Sequence, residues 1–237
     1  MFLRRSRGLA FLLTGLVGFW LSGCSADPAD EQAEPEPEPE LPRAEVVTPD
    51  PGPRSGGTLR VGLVLDPVSI DPRFVVDDEG ELIVDALFDP LVHLDEDGEP
   101  VPAAAEDLEV DDQGRRFTFH LREARFHDGS PVTAEDFKRT FDRIADGTAE
   151  PRSFLAYLVE DIVGADTALR EGGPLPGVTA VDERTLEIEL DEPQPGYLAT
   201  LADPSLVPTP SVAEEDPEGY AQEPIGNGAF AMAGPRE

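Results

Sequence analysis

Residues Phe117 to Phe141, FTFHLREARFHDGSPVTAEDFKRTF, set the fold reading, and they spell strand, turn, helix. Phe117, Phe119 and Leu121 alternate with Thr118, His120 and Arg122. That two-residue period belongs to a strand with one buried and one wetted face. His127-Asp128-Gly129 predicts a turn, because Gly accepts positive φ at little cost and Asp bonds its own downstream backbone. Thr133 then reads as a helix N-cap, its hydroxyl accepting from the Asp136 N–H while the Asp136 carboxylate reaches back to the cap. That carboxylate also puts negative charge at the positive end of the helix. Phe137, Phe141 and Ile144 share one helical face.

This segment, with VPAAAEDLEVDDQGRR (Val101 to Arg116) before it, resembles the family 5 solute-binding proteins of bacterial ABC importers, the oligopeptide- and dipeptide-binding class. GVTAVDERTLEIELDEPQPGYL, Gly177 to Leu198, resembles the same family at the matching place. Further on, Glu223-Pro224-Ile225-Gly226-Asn227-Gly228-Ala229-Phe230 is similar to the family's P-V-G-T-G-P-F word, a turn entering a strand beside the cleft. Asn227 and Ala229 replace the more usual Thr and Pro.

The resemblance implies an α/β, periplasmic-binding-protein-like (flytrap) fold. Its implied parts are a partial first lobe, residues 56–73 and 195–237, and an inserted α+β subdomain, residues 74–194. It runs from Gly56 to Arg236 and covers only the first part of the family pattern, so the second lobe is expected to be missing. Closure around a ligand needs two walls and a hinge. The family's acceptor for a peptide amine lies in the missing lobe, so no residue here takes that role.

Elsewhere the chain is read from its residues. Of 237 residues, 50 are Asp or Glu and 18 Lys or Arg, a net charge of −32. Such a surface repels phosphates and anionic headgroups, which argues against nucleic acid as a partner. The acidity suits solubility in a salty or acid-biased proteome, or an affinity for cationic ligands. Arg4, Arg5 and Arg7 precede an apolar run from Leu9 to Leu21, a signal-peptide pattern over residues 1–23. Leu21-Ser22-Gly23-Cys24 is similar to the lipobox of bacterial lipoproteins, which implies a diacylglyceryl group on Cys24, the only cysteine. Cleavage before Cys24 removes three Arg and the only tryptophan, Trp20, leaving fifteen basic residues against fifty acidic ones, a charge of −35. Residues 24–55, with EPEPEPE at Glu34 to Glu40, are acidic, proline-rich and poor in apolar side chains. They read as a disordered, extended tether reaching on the order of 90 Å at about 3.1 Å per residue.

The folded part opens at Gly56-Gly57. Thr58 to Leu65, TLRVGLVL, predicts a strand with Leu59, Val61, Leu63 and Leu65 on one face. The resemblance puts the following loop, Asp66 to Pro72 (DPVSIDP), near the ligand cleft, and open α/β sheets bind beyond strand C-termini. An ordinary Pro-terminated loop explains the same residues equally well. The ligand-binding candidates are therefore Asp66, Pro67, Ile70, Asn227 and Gly228.

Glu79 to Phe88 predicts a helix ending before Asp89-Pro90, Leu91 to Leu94 a strand, and Asp95-Glu96-Asp97-Gly98 a hairpin turn. With Gly98 sixth in an EF-hand loop, His93 would be first and Ala104 twelfth, so two calcium ligands are missing. Asp111 to Gly114 predicts the next turn. Pro151 to Ala168 predicts a second helix with Phe154, Leu155, Leu158 and Ile162 on its stripe, and Val178 to Leu190 a hairpin around Asp182-Glu183-Arg184. Tyr197 to Leu201 predicts a short helix.

His93, His120 and His127 have no metal-ligand spacing, and no nucleophile motif occurs, so no metal, catalytic residue or cofactor beyond the lipid is assigned. GNGAFA matches a loose dinucleotide pattern, but a loop precedes it and only seven residues follow Phe230. The expectation is a lipid-anchored, monomeric, extracytoplasmic binding protein on the outer face of the cytoplasmic membrane. Its partners would be an oligopeptide or other small solute, including a nickel chelate or sugar, and ABC permease subunits. Three accounts stay open: a fragment unable to bind alone, a non-binding remnant serving as an interaction module, and a lipid-anchored enzyme.

Overall fold

The computed structural model describes residues 56–111 and 113–236. The signal peptide, Cys24 and the tether lie outside the described residues. Two antiparallel hairpins form the centre. Strands β3 (Ala105–Val110) and β4 (Arg116–Leu121) pair around the Asp111 turn, and β5 (Val178–Asp182) and β6 (Thr185–Glu189) around Asp182-Glu183-Arg184. They join through β4 and β6 into a four-stranded sheet of order β3-β4-β6-β5, with Phe119 opposite Leu186 and Phe117 opposite Ile188. The alternation read from the sequence holds on both inner strands. Phe117, Phe119, Leu121, Leu186 and Ile188 are buried, and Thr118, His120 and Glu187 are half-exposed.

Helix α2 (Ala134–Ala145) lies on this sheet and buries Phe137, Phe141 and Ile144. Thr133 is extended, at φ −126° and ψ 167°, and forms a capping box with Asp136. The Asp136 carboxylate accepts from the Thr133 N–H at 2.8 Å and from its hydroxyl at 2.7 Å. The preceding turn is as expected: Gly129 has φ +89° and the Asp128 carboxylate accepts from the Ser130 N–H at 2.8 Å.

A second, smaller cluster gathers Val75, Val84, Leu87, Phe88, Val207, Ala213 and Tyr220. It is built by helix α1 (Asp78–Leu87) and by the short helices α5 (Val212–Glu215) and α6 (Pro217–Gln222). Asp77 caps α1 by accepting from the Gly80 N–H at 2.8 Å, and three acidic residues fill the first turn. The outer face of α2 ties the clusters together. Arg139 donates to the Asp136 carboxylate and to the Thr209 carbonyl, both at 2.7 Å, and the Thr140 hydroxyl meets the Val207 carbonyl and the Thr209 hydroxyl. The hairpin β1 (Val92–Leu94) and β2 (Pro100–Pro102) closes as predicted, with the Asp95 carboxylate accepting from the N–H groups of Asp97 and Glu99, both at 2.9 Å.

Two expectations fail in the part of the chain before Tyr197. Thr58 to Leu65 forms no strand. The stretch is irregular, bending at Val64 and Leu65, and exposed, with Leu59 86% and Val64 89% accessible, because no described segment runs alongside to complete a hydrogen-bond ladder. Pro151 to Ala168 is not one helix. It splits into a 3₁₀ turn, Ala156–Leu158, and helix α3 (Ala165–Glu171), separated by Ile162 bridging to Leu190 and by Gly164 at φ +86°. Phe154 projects outward at 79% exposure, while Leu155, Leu158 and Ile162 are buried as their spacing implies. Tyr197–Thr200 forms the expected short helix, α4.

Candidate functional site

The five ligand candidates fall at the two ends of α1. Asp66, Pro67 and Ile70 lie at its N-terminal end, where the Val68 N–H donates to the Asp77 carboxylate at 2.9 Å and the Leu65 N–H to Glu79 at 3.3 Å. Asp66 is exposed, and Pro67 and Ile70 are buried. The Pro67 carbonyl accepts from the Arg236 guanidinium at 2.6 Å.

Asn227 and Gly228 lie at the C-terminal end. Asn227 brackets the Asp89 backbone, accepting from its N–H at 3.0 Å and donating to its carbonyl at 3.3 Å. The Gly228 N–H donates to the Leu87 carbonyl at 2.8 Å. Gly226 and Gly228 are required by close approach: a Cβ on Gly226 would stand 1.9 Å from the Leu87 carbonyl oxygen, and one on Gly228 would stand 2.7 Å from the Phe88 nitrogen. His127 completes the joint, its N–H donating to the Gly226 carbonyl at 2.8 Å and its Nε2 lying 3.1 Å from the Gly228 carbonyl. A ten-residue helix is about 15 Å long, so the two groups of candidates stand roughly that far apart. The loop 226–230 forms no strand, because its N–H groups turn onto the end of α1, the Phe230 N–H reaching the Ala86 carbonyl at 3.1 Å.

Apart from these candidates the fold makes a groove that sequence reading did not find. Its cavity of about 450 Å³ is bordered by Leu94, Tyr157, Asp161, Gln194, Tyr197 and Asp203. Pro204 also borders the adjoining groove over the outer face of α1, beside Asp78, Glu81, Leu82 and Asp85. Among the described residues, no Lys or Arg borders either cavity. Tyr157 is 58% exposed, and Tyr197 is anchored by donation to the Leu158 carbonyl at 2.5 Å.

The electrostatics are those of uncompensated carboxylates. Partial burial, Asp203, Asp78 and Asp77 all push the Glu81 carboxyl above its ordinary range. Burial, Asp203 and Glu81 raise the Tyr157 phenol, which stays a neutral hydrogen-bond donor. Apolar walls, two phenol rings and an acidic rim make a surface able to hold an extended, polar chain carrying positive charge. Spacing offered no signal for this groove, since Tyr157, Gln194 and Asp203 meet only through the 3₁₀ turn and α4.

A buried polar network fixes the DPVSIDP loop. The Asp71 carboxylate accepts from the Arg73 N–H at 3.1 Å, capping the 3₁₀ turn Pro72–Phe74, and pairs end-on with Arg143, accepting from Nη1 at 3.2 Å and Nη2 at 2.8 Å. Arg143 lies over the Tyr220 ring, 5.6 Å from its centroid. The Tyr220 hydroxyl, buried near Thr209, has no partner in hydrogen-bonding geometry among the described residues, and burial drives its acidity down.

An antiparallel sheet backed by helices and a loop-lined acidic groove are what the described residues bring together. Residues 99–234 match the model described as bacterial extracellular solute-binding proteins, family 5 middle. The chain belongs to that family.

Among curated relatives, it is 38% identical over 175 residues to the probable deoxycholate-binding periplasmic protein YgiS of Escherichia coli K12, covering 70% of this chain and 32% of the relative. It is 38% identical over 172 residues to the periplasmic oligopeptide-binding protein OppA of the same organism, covering 69% and 31%. Among solved structures, the Escherichia coli murein tripeptide binding protein MppA superposes with a TM-score of 0.64 at 34% identity, covering 72% of this chain and 34% of that one. Haemophilus influenzae OppA in complex with RPPGFSPFR gives 0.63 at 30% identity, covering 71% and 34%. The chain thus spans about one third of the length of these relatives and carries part of the periplasmic peptide-binding fold.

Proposed function

We propose that this chain is the N-terminal portion of a peptide-class substrate-binding lipoprotein of an ABC importer, held outside the cytoplasmic membrane through lipid on Cys24, and that by itself it does not bind peptide. The observation that carries the reading is the 38% identity to an oligopeptide-binding protein along a stretch covering only 31% of it. The open groove beside Tyr157 supports it. A single acidic wall with an exposed phenol attracts a peptide without enclosing it, and affinity in a flytrap comes from burying the ligand between two walls. Asn227 and Gly228 keep a supporting role here, holding the C-terminal end of α1, and Asp66, Pro67 and Ile70 lie in the loop before its N-terminal end; α1 borders the adjoining groove and not the cavity beside Tyr157. The protein carries no chemistry of its own. ATP hydrolysis belongs to cytoplasmic partners, and delivery to a permease.

The test is peptide titration by calorimetry on the 237-residue chain and on a version extended to the relatives' length. Saturable binding only by the extended version is expected. Tight binding by the short chain overturns its dependence on a second wall, and binding by neither favours a remnant serving as an interaction module.

A further inference from the structure

Away from the groove, Arg73 has buried donors that nothing in the described fold uses. Its Nε and Nη2 are both closed off from solvent and have no hydrogen-bond partner among the described residues. The guanidinium packs 5.0 Å over the Phe74 ring, and burial, then the neighbouring Arg143, lower its affinity for its proton. Nε and Nη2 form the side-on edge of a guanidinium, two parallel donors that match the two oxygens of a carboxylate. Two covered N–H donors left idle on a half-buried cation are costly, so an acceptor is called for.

The nearby carboxylates are mostly engaged. Both oxygens of Asp71 are taken by Arg143, Asp142 accepts from the Leu175 N–H at 2.7 Å and from Lys138 at 2.5 Å, and Asp146 accepts from the Thr148 N–H at 2.9 Å and hydroxyl at 2.7 Å. Glu214 pairs with Arg139 at 3.3 Å. Arg73 borders a cavity of about 490 Å³ between the end of α2 and helices α5 and α6, with Asp146, Glu150 and Glu214 around it. Glu150 is exposed. One unspent cation and a ring of carboxylates, beside room for several heavy atoms, match a ligand with an anionic end and a cationic end.

We propose that this cavity is a second binding site, taking a small zwitterion of the α-amino-acid class. Its carboxylate meets the Nε–Nη2 edge of Arg73, and its ammonium group lies towards Glu150 and Asp146. Because both nitrogens are covered, binding turns the guanidinium into the cavity. The cavity shares no lining residue with the groove beside Tyr157, so the inference does not rest on the peptide reading.

The test uses the full chain, purified in detergent and nitrogen-labelled, with the Arg73 Nε–Hε resonance identified by its loss in Arg73→Lys. Glycine is expected to move that resonance saturably and to raise the melting temperature. Acetate should do so about tenfold more weakly, and methylammonium not at all. Glu150→Gln should remove glycine's advantage over acetate and leave acetate unchanged. Arg73→Lys, which keeps the charge but not the fork, should lose the stabilisation. The proposal is overturned if glycine produces no saturable movement, if the Nε–Hε proton only exchanges with an enclosed water, or if Arg73→Lys is stabilised by glycine as strongly as the native chain.

Discussion

Asp71 and Arg143, 72 positions apart, form an end-on, two-pronged ion pair at 3.2 and 2.8 Å in which both residues are at least nine-tenths buried. The pair fastens the loop before α1 to the last turn of α2. Removing one member strands the other charge away from water, so Arg143→Met should cost about 3–5 kcal/mol, read from urea unfolding. Asp71→Leu combined with Arg143→Met should recover much of that loss, since neither charge then remains. A single substitution costing under about 1 kcal/mol would mean that the pair is solvated.

The capping box gives a graded expectation. Thr133→Ala removes a hydroxyl and should cost about 1 kcal/mol. Asp136→Ala removes the acceptor for the Thr133 N–H, the Thr133 hydroxyl and Arg139, and should cost more, roughly 2–3 kcal/mol. Thermal melts of the two variants rank them directly, and the reverse order would show that the hydroxyl is the main cap.

At the other end of α1, Gly226→Ala forces a Cβ onto the Leu87 carbonyl and should destabilise by about 1–3 kcal/mol. Asn227→Ala loses two exposed hydrogen bonds to Asp89 and should cost about 1 kcal/mol. Equal, near-zero effects in a chemical denaturation series would indicate that the loop 226–230 is not packed on the helix.

Glu81 predicts a pH dependence. Burial and its acidic neighbours hold its carboxyl above the usual range in the folded chain, so the fold takes up its proton more readily than the unfolded chain does. That linkage contributes stability below the unfolded value, and the contribution is lost as pH rises through the folded one. Glu81→Gln should therefore stabilise the chain at neutral pH, and its advantage should vanish on acidification through the Glu81 titration. Melting curves from neutral pH downward read the difference, which would stay constant if Glu81 felt no neighbours.

The proposed lipid anchor has its own signature. Cys24→Ala should abolish a lipid-dependent mobility shift, and the processed protein should lack tryptophan fluorescence because Trp20 is removed. A soluble, unshifted native chain would count against the anchor.

Local pattern carried the reading where partners are sequence neighbours. The 117–141 unit, the three hairpin turns and α1 were legible because period, turn residue and cap lie within a few positions of one another. The TLRVGLVL strand failed for the opposite reason: its alternation is sound, but a strand exists only with a partner, and none runs beside it among the described residues. The helix expected over 151–168 failed because apolar spacing could not reveal that Gly164 turns left-handed or that Ile162 pairs with Leu190. For the candidate sites, the glycines flanking Asn227 signal a tight turn, but the partners of that turn on α1 could not be seen from spacing. The groove beside Tyr157 and the Asp71–Arg143 pair join residues with no shared motif.

On the export route proposed above, the four-stranded sheet has a consequence for how the polypeptide emerges across a membrane. All its strands come from residues 105–189, in two hairpins that close locally before they meet. Local closure is fast, so this unit can condense as soon as it clears a translocation channel. On that route residues 58–65 emerge ahead of the sheet as an apolar, exposed stretch, and Arg60 is the only charge among them to discourage premature self-association.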